Sequence, residues 1–241
     1  MSRLLIVEDN PEYRKGARDF FDSISVNPVY AADYNSAIQN LYAAPTSSAM
    51  IDCFFPKETG SNDISLGREV VERMAQSDPR EMQIREGLKS LEPCIDLNDP
   101  EMRKYARFMV GGHYDSLLRT IAKMSETFEK TLMTHFVKNT MRGTYREDSA
   151  RDYYRALMEA MEQSEANQPL GIEVAERATE LKIPLVLVTS TYHHDILTQP
   201  VQNYAGSRGW KLIDCNAPNE KATPAFWQRS YDALKGKGAN F

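Results

Sequence analysis

Short apolar runs alternate with longer amphipathic segments at both ends of the chain. The apolar runs resemble buried parallel strands and occupy residues 4–7, 26–32, 49–55, 183–188 and 210–214. Segments with apolar residues three and four positions apart lie between or after them, which predicts helices over residues 11–24, 195–206 and 222–234. A further helix that carries Ala37, Ile38 and Leu41 is predicted to begin at Asp33 as N-cap. This alternation predicts an α/β fold, a (βα)5 doubly wound parallel sheet.

The middle of the chain does not follow this alternation. The sequence LGREVVER at 66–73 recurs as LGIEVAER at 170–177, 104 residues later (170 − 66). Joining residue 65 to residue 170 restores a strand–helix–strand unit in a chain of 137 residues (241 − 104), an ordinary domain size. We therefore expect one domain, 1–74 and 166–241, with an insertion over 75–165 between the third and fourth strands. Chance similarity between two Glu- and Arg-rich amphipathic helices is the alternative.

The insertion is predicted to be an α-helical subdomain. Apolar residues spaced by three and four run from Val110 to Phe128 and continue to Phe136, which indicates one helix that ends at Gly143. A second helix is predicted over 148–163. The apolar stripes of these helices must be covered by each other, by the parent domain, by a protein partner or by a second copy in a homodimer, and the sequence leaves these choices open.

Composition narrows the classes of function. Hydrophobic residues make up 41% and charged residues 26% of the chain, which is an ordinary globular balance. The net charge is −5, from 29 basic and 34 acidic residues, so we expect no nucleic acid and no anionic membrane as partner. No apolar run approaches the length of a membrane span, about 18 residues. Three cysteines without metal-ligand spacing indicate reduced thiols and a cytoplasmic location.

Carboxylates stand at the ends of the first and third predicted strands. Glu8 and Asp9 follow the first run, Asp52 lies in the third, and Thr189 follows the fourth. Because the carboxyl ends of neighbouring parallel strands meet at one edge of the sheet, we expect these side chains to lie together. Three adjacent carboxylates raise one another's pKa unless a cation neutralises them, and an all-oxygen donor set suits Mg²⁺. A carboxylate at such a site can also be the nucleophile that forms an aspartyl phosphate.

These residues resemble the receiver domain of two-component response regulators. The matching segments are LIVEDN at 5–10, DCFFP at 52–56 and VLVTS at 186–190. The resemblance implies a flavodoxin-like topology, with Asp52 as phosphoacceptor and Thr189 as the hydroxyl that follows the phosphoryl group. It implies that Mg²⁺ is held by Glu8, Asp9, Asp52 and the backbone carbonyl of Phe54. It also implies a histidine kinase or phosphotransfer protein as donor. The output would then be protein–protein contact, with the insertion as the contact surface.

One feature of receivers is missing from the fifth predicted strand. Receivers carry a lysine at the end of that strand, usually directly before a proline, whereas residues 214–218 here read DCNAP and Lys211 lies at the opposite end. Lys221, just ahead of the last helix, is the predicted replacement. His193 or His194, after the fourth strand, is the alternative cation, and this pair can also be interpreted as metal ligands.

Two other functions remain open at this stage. The first is a pseudo-receiver that binds partners through the insertion and never accepts phosphate. The second is a Mg²⁺-dependent phosphatase or hydrolase of related fold with Asp52 as nucleophile, although Phe54 stands where such phosphatases carry a second aspartate. His135, followed by FVK, resembles the histidine of phosphotransfer helices, but an exposed helical histidine is the simpler interpretation.

Overall fold

The strands form one parallel five-stranded sheet in the order β2-β1-β3-β4-β5. The computed structural model describes residues 3–43, 46–112, 114–145, 152–192 and 195–239. Its strands are β1 (Arg3–Val7), β2 (Val29–Ala31), β3 (Thr46–Asp52), β4 (Leu185–Tyr192) and β5 (Leu212–Cys215). The predicted α/β fold with flavodoxin-like topology is confirmed, and a large helical region separates β3 from β4.

Some helices begin at a side-chain cap, whereas α6, α7, α9, α10 and α11 begin without one. In chain order they are α1 (Pro11–Ser23), α2 (Tyr34–Ala43), α3 (Ser65–Ser77), α4 (Pro79–Leu91), α5 (Pro100–Gly111), α6 (Asp115–Ser125), α7 (Lys130–Met141), α8 (Tyr153–Gln163), α9 (Leu170–Glu180), α10 (Thr198–Ser207) and α11 (Pro224–Lys235). Asn10, Asp78 and Asp99 each accept a backbone N–H at a helix start, directly before a proline at the first helical position. No helix among the described residues is long and apolar enough to cross a membrane.

Both faces of the sheet are buried. Leu4, Ile6 and Met50 pack with α1 and α11 in a core that contains Phe21 and Trp227. The alternate strand residues point to the opposite face and are fully buried as well, as for Leu5, Val7, Ile51 and Leu187. Helix α9 packs against β3, β4 and α2. It is therefore the crossover helix that leads into β4, as joining residue 65 to residue 170 predicted.

The register of the strands aligns their carboxyl ends. Val7 pairs with Ile51 between β1 and β3, so the next residues, Glu8 and Asp52, leave the sheet side by side. Asp52 in turn pairs with Val188 of β4, directly before Thr189. The backbone N–H of Cys53 extends this pairing by donating to the Val188 carbonyl at 2.9 Å.

The chain divides into two compact units. The sheet unit is Met1–Met74 with Tyr153–Phe241, and the helical unit is Ala75–Asp152. The boundary at Asp152 lies before the expected end of the insertion at 165, since α8 belongs to the sheet unit, where Leu157 and Met161 are buried. The helical unit has its own apolar core, which includes Ile84, Met102, Met109, Ile121 and Val137.

The single long helix expected to end at Gly143 is wrong. Helix α5 ends at Gly111, and α6 and α7 are separate helices. The apolar residues predicted to form one stripe lie in different surroundings. Ile121 is fully buried, whereas Phe128, Leu132 and Phe136 are exposed. Helix α7 buries the neighbouring stripe instead, with Met133, Val137 and Met141 in the core of the helical unit.

Candidate metal centre

Three carboxylates meet at the carboxyl edge of the sheet. Glu8, Asp9 and Asp52 each place a carboxylate oxygen within 4.8 Å of the others. Glu8 is fully buried, Asp52 is 6% exposed, and Asp9 is half-buried. This cluster, called the acidic edge below, forms because β1 and β3 are neighbours and end at the same level. The structure therefore brings the three residues together as the sequence predicted.

Lys221 supplies a cation to the acidic edge. Its Nζ lies 2.6 Å from Asp52 Oδ1 and 2.6 Å from Glu8 Oε2, and the side chain is fully buried. A buried ammonium group is tolerated only where anions pair with it, and here it has two. The sequence left His193 and His194 as alternatives for this position, and both lie outside the described residues.

A short turn after β5 carries Lys221 to the site. Residues Glu220–Ala222 form a single 3₁₀ turn, which follows Asn219 in the left-handed conformation with φ of 59°. The indole Nε1 of Trp227 donates to the Lys221 carbonyl at 2.8 Å. On the other side, a Cβ on Gly16 of α1 would lie 2.5 Å from the Ala222 carbonyl oxygen, so only glycine allows α1 to approach the turn this closely. The sequence predicted Trp227 on the apolar stripe of the last helix but did not connect it with the site, and it gave no signal for Gly16.

An ion pair between Arg229 and Glu220 also restrains the loop that contains Lys221. Arg229 of α11 contacts the Glu220 carboxylate at 2.7 and 3.1 Å and donates to the Asp214 carbonyl at 2.5 Å. The backbone N–H of Asn216 donates to Glu220 as well, at 2.5 Å. Because Glu220 directly precedes Lys221, these contacts restrict the positions from which the lysine reaches the carboxylates.

The acidic edge has more negative than positive charge. Burial raises the pKa of Glu8 to about 8, since it outweighs the opposing effect of Lys221 and is reinforced by Asp52. Burial and the charge of Asp52 raise the pKa of Asp9 to about 6. Burial also raises the pKa of Asp52 against the opposing effect of Lys221. Although burial disfavours the ammonium form, Asp52 and Glu8 raise the pKa of Lys221 above its usual value. One ammonium group is therefore not enough to keep all three carboxyl groups ionised, and in the metal-free protein they hold protons that a bound cation would displace.

The oxygen atoms at the acidic edge fit a divalent cation. Within the described part of the chain, Asp52 accepts hydrogen bonds from Lys221 Nζ and the Cys53 N–H, both on Oδ1, and none on Oδ2. Glu8 Oε1 accepts from the Asn10 N–H at 3.1 Å, whereas the buried Oε2 contacts Lys221 without hydrogen-bond geometry. Carboxylate oxygens with free lone pairs beside excess negative charge suit a hard cation such as Mg²⁺.

Thr189 is fully buried directly after Val188, the residue paired with Asp52. Its hydroxyl oxygen lies 3.0 Å from that of Thr191, which lies 2.6 Å from that of Thr198. Thr198 is the first residue of α10, so a row of three hydroxyl groups runs from the site to this helix. The role of Thr189 toward a phosphoryl group stays a prediction.

Two further residues border the acidic edge. Phe54 is half-buried, two positions after Asp52, and the metal-binding role of its carbonyl stays a prediction. Tyr13 of α1, which sequence reasoning did not connect with the site, places its ring centroid 5.4 Å from Lys221 Nζ. The negative face of the ring adds to the surroundings that stabilise the ammonium group.

Comparison of the chain with family models, curated proteins and solved structures gives no significant match. The fold and the candidate metal site are therefore described from the structure of this chain alone. It is a flavodoxin-like α/β fold with a helical region between β3 and β4, and it carries an acidic triad that can bind a metal ion.

Proposed function

We propose that this protein is a receiver-like signalling module that accepts a phosphoryl group on Asp52 with the help of Mg²⁺. The observation that carries this proposal is the position of Lys221, whose Nζ lies 2.6 Å from both Asp52 and Glu8. The fifth strand lacks the lysine expected of receivers, and Lys221 supplies an ammonium group at the required edge from a different position in the chain.

Asp52 Oδ2 is the proposed nucleophile, because Oδ1 is engaged by Lys221 and the Cys53 N–H. It attacks the phosphorus of a phosphohistidine or an acyl phosphate. The new O–P bond forms as the bond from phosphorus to the leaving nitrogen or oxygen breaks, and the leaving group keeps the electron pair. Mg²⁺ bound by Glu8, Asp9, Asp52 and the Phe54 carbonyl would neutralise charge on the phosphoryl oxygens.

Lys221 and Thr189 then hold the product. The Lys221 ammonium has three N–H donors and already contacts the acceptor carboxylate, so a small movement allows it to donate to a phosphoryl oxygen. The Thr189 hydroxyl would donate to a second phosphoryl oxygen after leaving the hydroxyl of Thr191. Phosphorylation would therefore disturb the row of hydroxyl groups that leads to α10.

The partners follow from this chemistry. The donor would be a histidine kinase or a phosphotransfer protein, because a phosphohistidine transfers readily to a carboxylate. The helical unit would provide the output through protein–protein contact. Phe128, just before α7, and Leu132 and Phe136 of α7 are 47%, 59% and 38% exposed, which is apolar surface suited to contact with a protein partner.

A pseudo-receiver is the second candidate, and one observation favours it. Asp52 is 6% exposed and already paired with Lys221, so the same geometry can serve as a closed ion pair in a binding module. In this case the acidic edge would keep the loops at the end of the sheet in place, and the helical unit would bind a partner without a switch.

Beryllofluoride, a mimic of the phosphoryl group, separates the two candidates. We expect ¹⁹F NMR to show protein-bound fluoride only when Mg²⁺ is present, and Asp52→Asn to abolish the signal. Asp19→Asn is the matched control, because it removes one charge from the exposed face of α1. Mg²⁺ binding without bound fluoride would reject the phosphoacceptor in favour of the pseudo-receiver. Absence of Mg²⁺ binding would reject the metal site itself.

A further inference from the structure

A second concave site lies at the amino ends of β4 and β5, on the sheet edge opposite Asp52. Its cavity has a volume of about 310 Å³. Its walls are the segment that leads into β4, the loop between α10 and β5, and Lys237 after α11. Small-molecule sites usually have volumes of about 300–1,000 Å³, so this cavity has the size of a small site.

The charge of this cavity is opposite to that of the whole chain. Lys182, Arg208 and Lys237 line it, and no acidic residue of the part of the chain that the structure describes does, although the chain carries a net charge of −5. Among the described residues, Lys182 and Lys237 have no carboxylate partner. Arg208 contacts Glu176 at 3.4 Å, and Glu176 lies outside the lining. An anion in the cavity would therefore meet one arginine and two lysines that pair with no carboxylate of the described residues.

An indole ring forms part of the same wall. Trp210 is half-buried, and its Nε1 donates to Thr179 Oγ1 at 3.1 Å, which fixes the orientation of the ring. Ile183 and Pro184 add apolar surface beside it. Lys237 Nζ donates to the Gly209 carbonyl at 3.2 Å, which holds this ammonium group at the cavity.

We propose that this cationic cavity binds a small organic phosphate that carries a flat ring, of the size of a nucleoside monophosphate. The phosphate would lie against Lys182, Arg208 and Lys237 through charge-assisted hydrogen bonds. The ring would stack on the Trp210 indole. The site does not depend on phosphorylation of Asp52, because it shares no residue with the acidic edge.

Isothermal titration calorimetry with AMP and, separately, with inorganic phosphate tests the proposal. EDTA is included so that no divalent cation links the nucleotide to the acidic edge. We expect AMP to bind at least about tenfold more tightly than inorganic phosphate, and the double variant Lys182→Gln/Lys237→Gln to weaken AMP binding by about tenfold or more. Trp210→Leu should reduce AMP affinity to that of inorganic phosphate.

Two control variants test whether the loss of AMP affinity is specific to lysines that line the cavity and whether AMP binds at the acidic edge instead. Lys211→Gln removes the same charge from an exposed lysine that does not line the cavity, so AMP affinity should stay unchanged. Asp52→Asn should leave it unchanged as well. The proposal is overturned if AMP binds no more tightly than inorganic phosphate. An equal loss in Lys211→Gln, or loss of binding in Asp52→Asn, overturns it too. Circular dichroism melting confirms that each variant is folded.

Discussion

Lys221 Nζ lies 2.6 Å from Asp52 Oδ1, although the two residues are 169 positions apart in the chain. The contact is fully buried and is shared with Glu8, so three charged groups depend on one another for neutralisation. Removal of one group changes the protonation and stability of the other two. The predictions for Lys221→Met, for the effect of pH and for Asp52→Asn follow from this dependence.

Lys221→Met is expected to destabilise the protein by about 3–5 kcal/mol at pH 8.5, because it leaves Glu8 and Asp52 buried without a cation. The loss should be smaller at pH 5, where the carboxyl groups can take up protons instead. Urea unfolding at both pH values measures the difference. Lys235→Met, at an exposed lysine of α11, is the control. An equal loss at both pH values would contradict the ion-pair explanation.

The metal-free protein should lose stability as the pH rises toward 8. Glu8 and Asp9 have pKa values raised to about 8 and about 6, so they keep their protons in the folded state at pH values where the unfolded chain has released them. Folding therefore takes up protons, and the free energy of unfolding falls between about pH 4 and pH 8. The Lys221 contribution is lost only above this window, since its pKa is raised.

Mg²⁺ provides the complementary measurement. Because its ligands must be deprotonated, Mg²⁺ should raise the melting temperature more at pH 8 than at pH 5.5. Thermal melts with and without Mg²⁺ at the two pH values test this. A shift that is independent of pH would indicate that the cation binds away from the acidic edge.

Asp52→Asn should be neutral or stabilising in the metal-free protein at pH 8. The substitution removes one charge from a cluster with excess negative charge, and the amide oxygen can still accept from Lys221 and the Cys53 N–H. Chemical denaturation gives the change in the free energy of unfolding. A loss of more than about 1 kcal/mol, the size of a typical hydrogen bond, would show that the carboxylate charge is needed for folding.

Gly16→Ala should displace the turn that carries Lys221. The added Cβ would lie 2.5 Å from the Ala222 carbonyl oxygen, so the turn or α1 must shift, with a loss of about 1–3 kcal/mol and weaker Mg²⁺-dependent beryllofluoride binding. Gly206→Ala in α10 is the control, because its Cβ would meet nothing within 4 Å and alanine favours a helix. Similar effects of the two substitutions would contradict the special role of Gly16.

If Asp52 is phosphorylated, the change should reach α10 through Thr189, Thr191 and Thr198. Acetyl phosphate with Mg²⁺ should then alter amide exchange around 189–198, and Asp52→Ala should abolish the effect. Thr191→Val interrupts the row of hydroxyl groups and should reduce the change at Thr198 while phosphorylation of Asp52 persists, as intact-protein mass spectrometry would show.

The same experiment can follow the signal toward the helical unit. Tyr204 of α10 donates to Glu176 of α9 at 2.5 Å, and Glu176 pairs at 3.0 Å with Arg73 of α3, just before the helical unit begins. We expect amide exchange over 110–140 to respond as well, and Tyr204→Phe to weaken this response while that at 189–198 remains. If phosphorylation of the protein without substitutions changes amide exchange only at 189–198, the helical unit is not coupled to Asp52.

The sequence by itself determined the sheet and the acidic edge. Apolar runs that end at Glu8 and Asp52 are enough, because neighbouring parallel strands must deliver the residues after them to the same edge. The repeated LG-x-EV-x-ER segment also placed the insertion between β3 and β4, since α9 alone serves as the crossover helix. These features depend on the local pattern of apolar residues and on the order of the elements, and both can be read from the sequence.

Only the tertiary structure decided which cation completes the site and where the helices of the insertion end. Lys221 reaches Asp52 because Gly16 admits the turn and Trp227 holds it, and no local pattern records either contact. Helices α6 and α7 separate because the core of the helical unit buries Met133 and Val137 instead of Leu132 and Phe136. Both outcomes depend on packing between segments that are distant in the sequence. The free energy of such packing cannot be inferred from the residues of one segment alone.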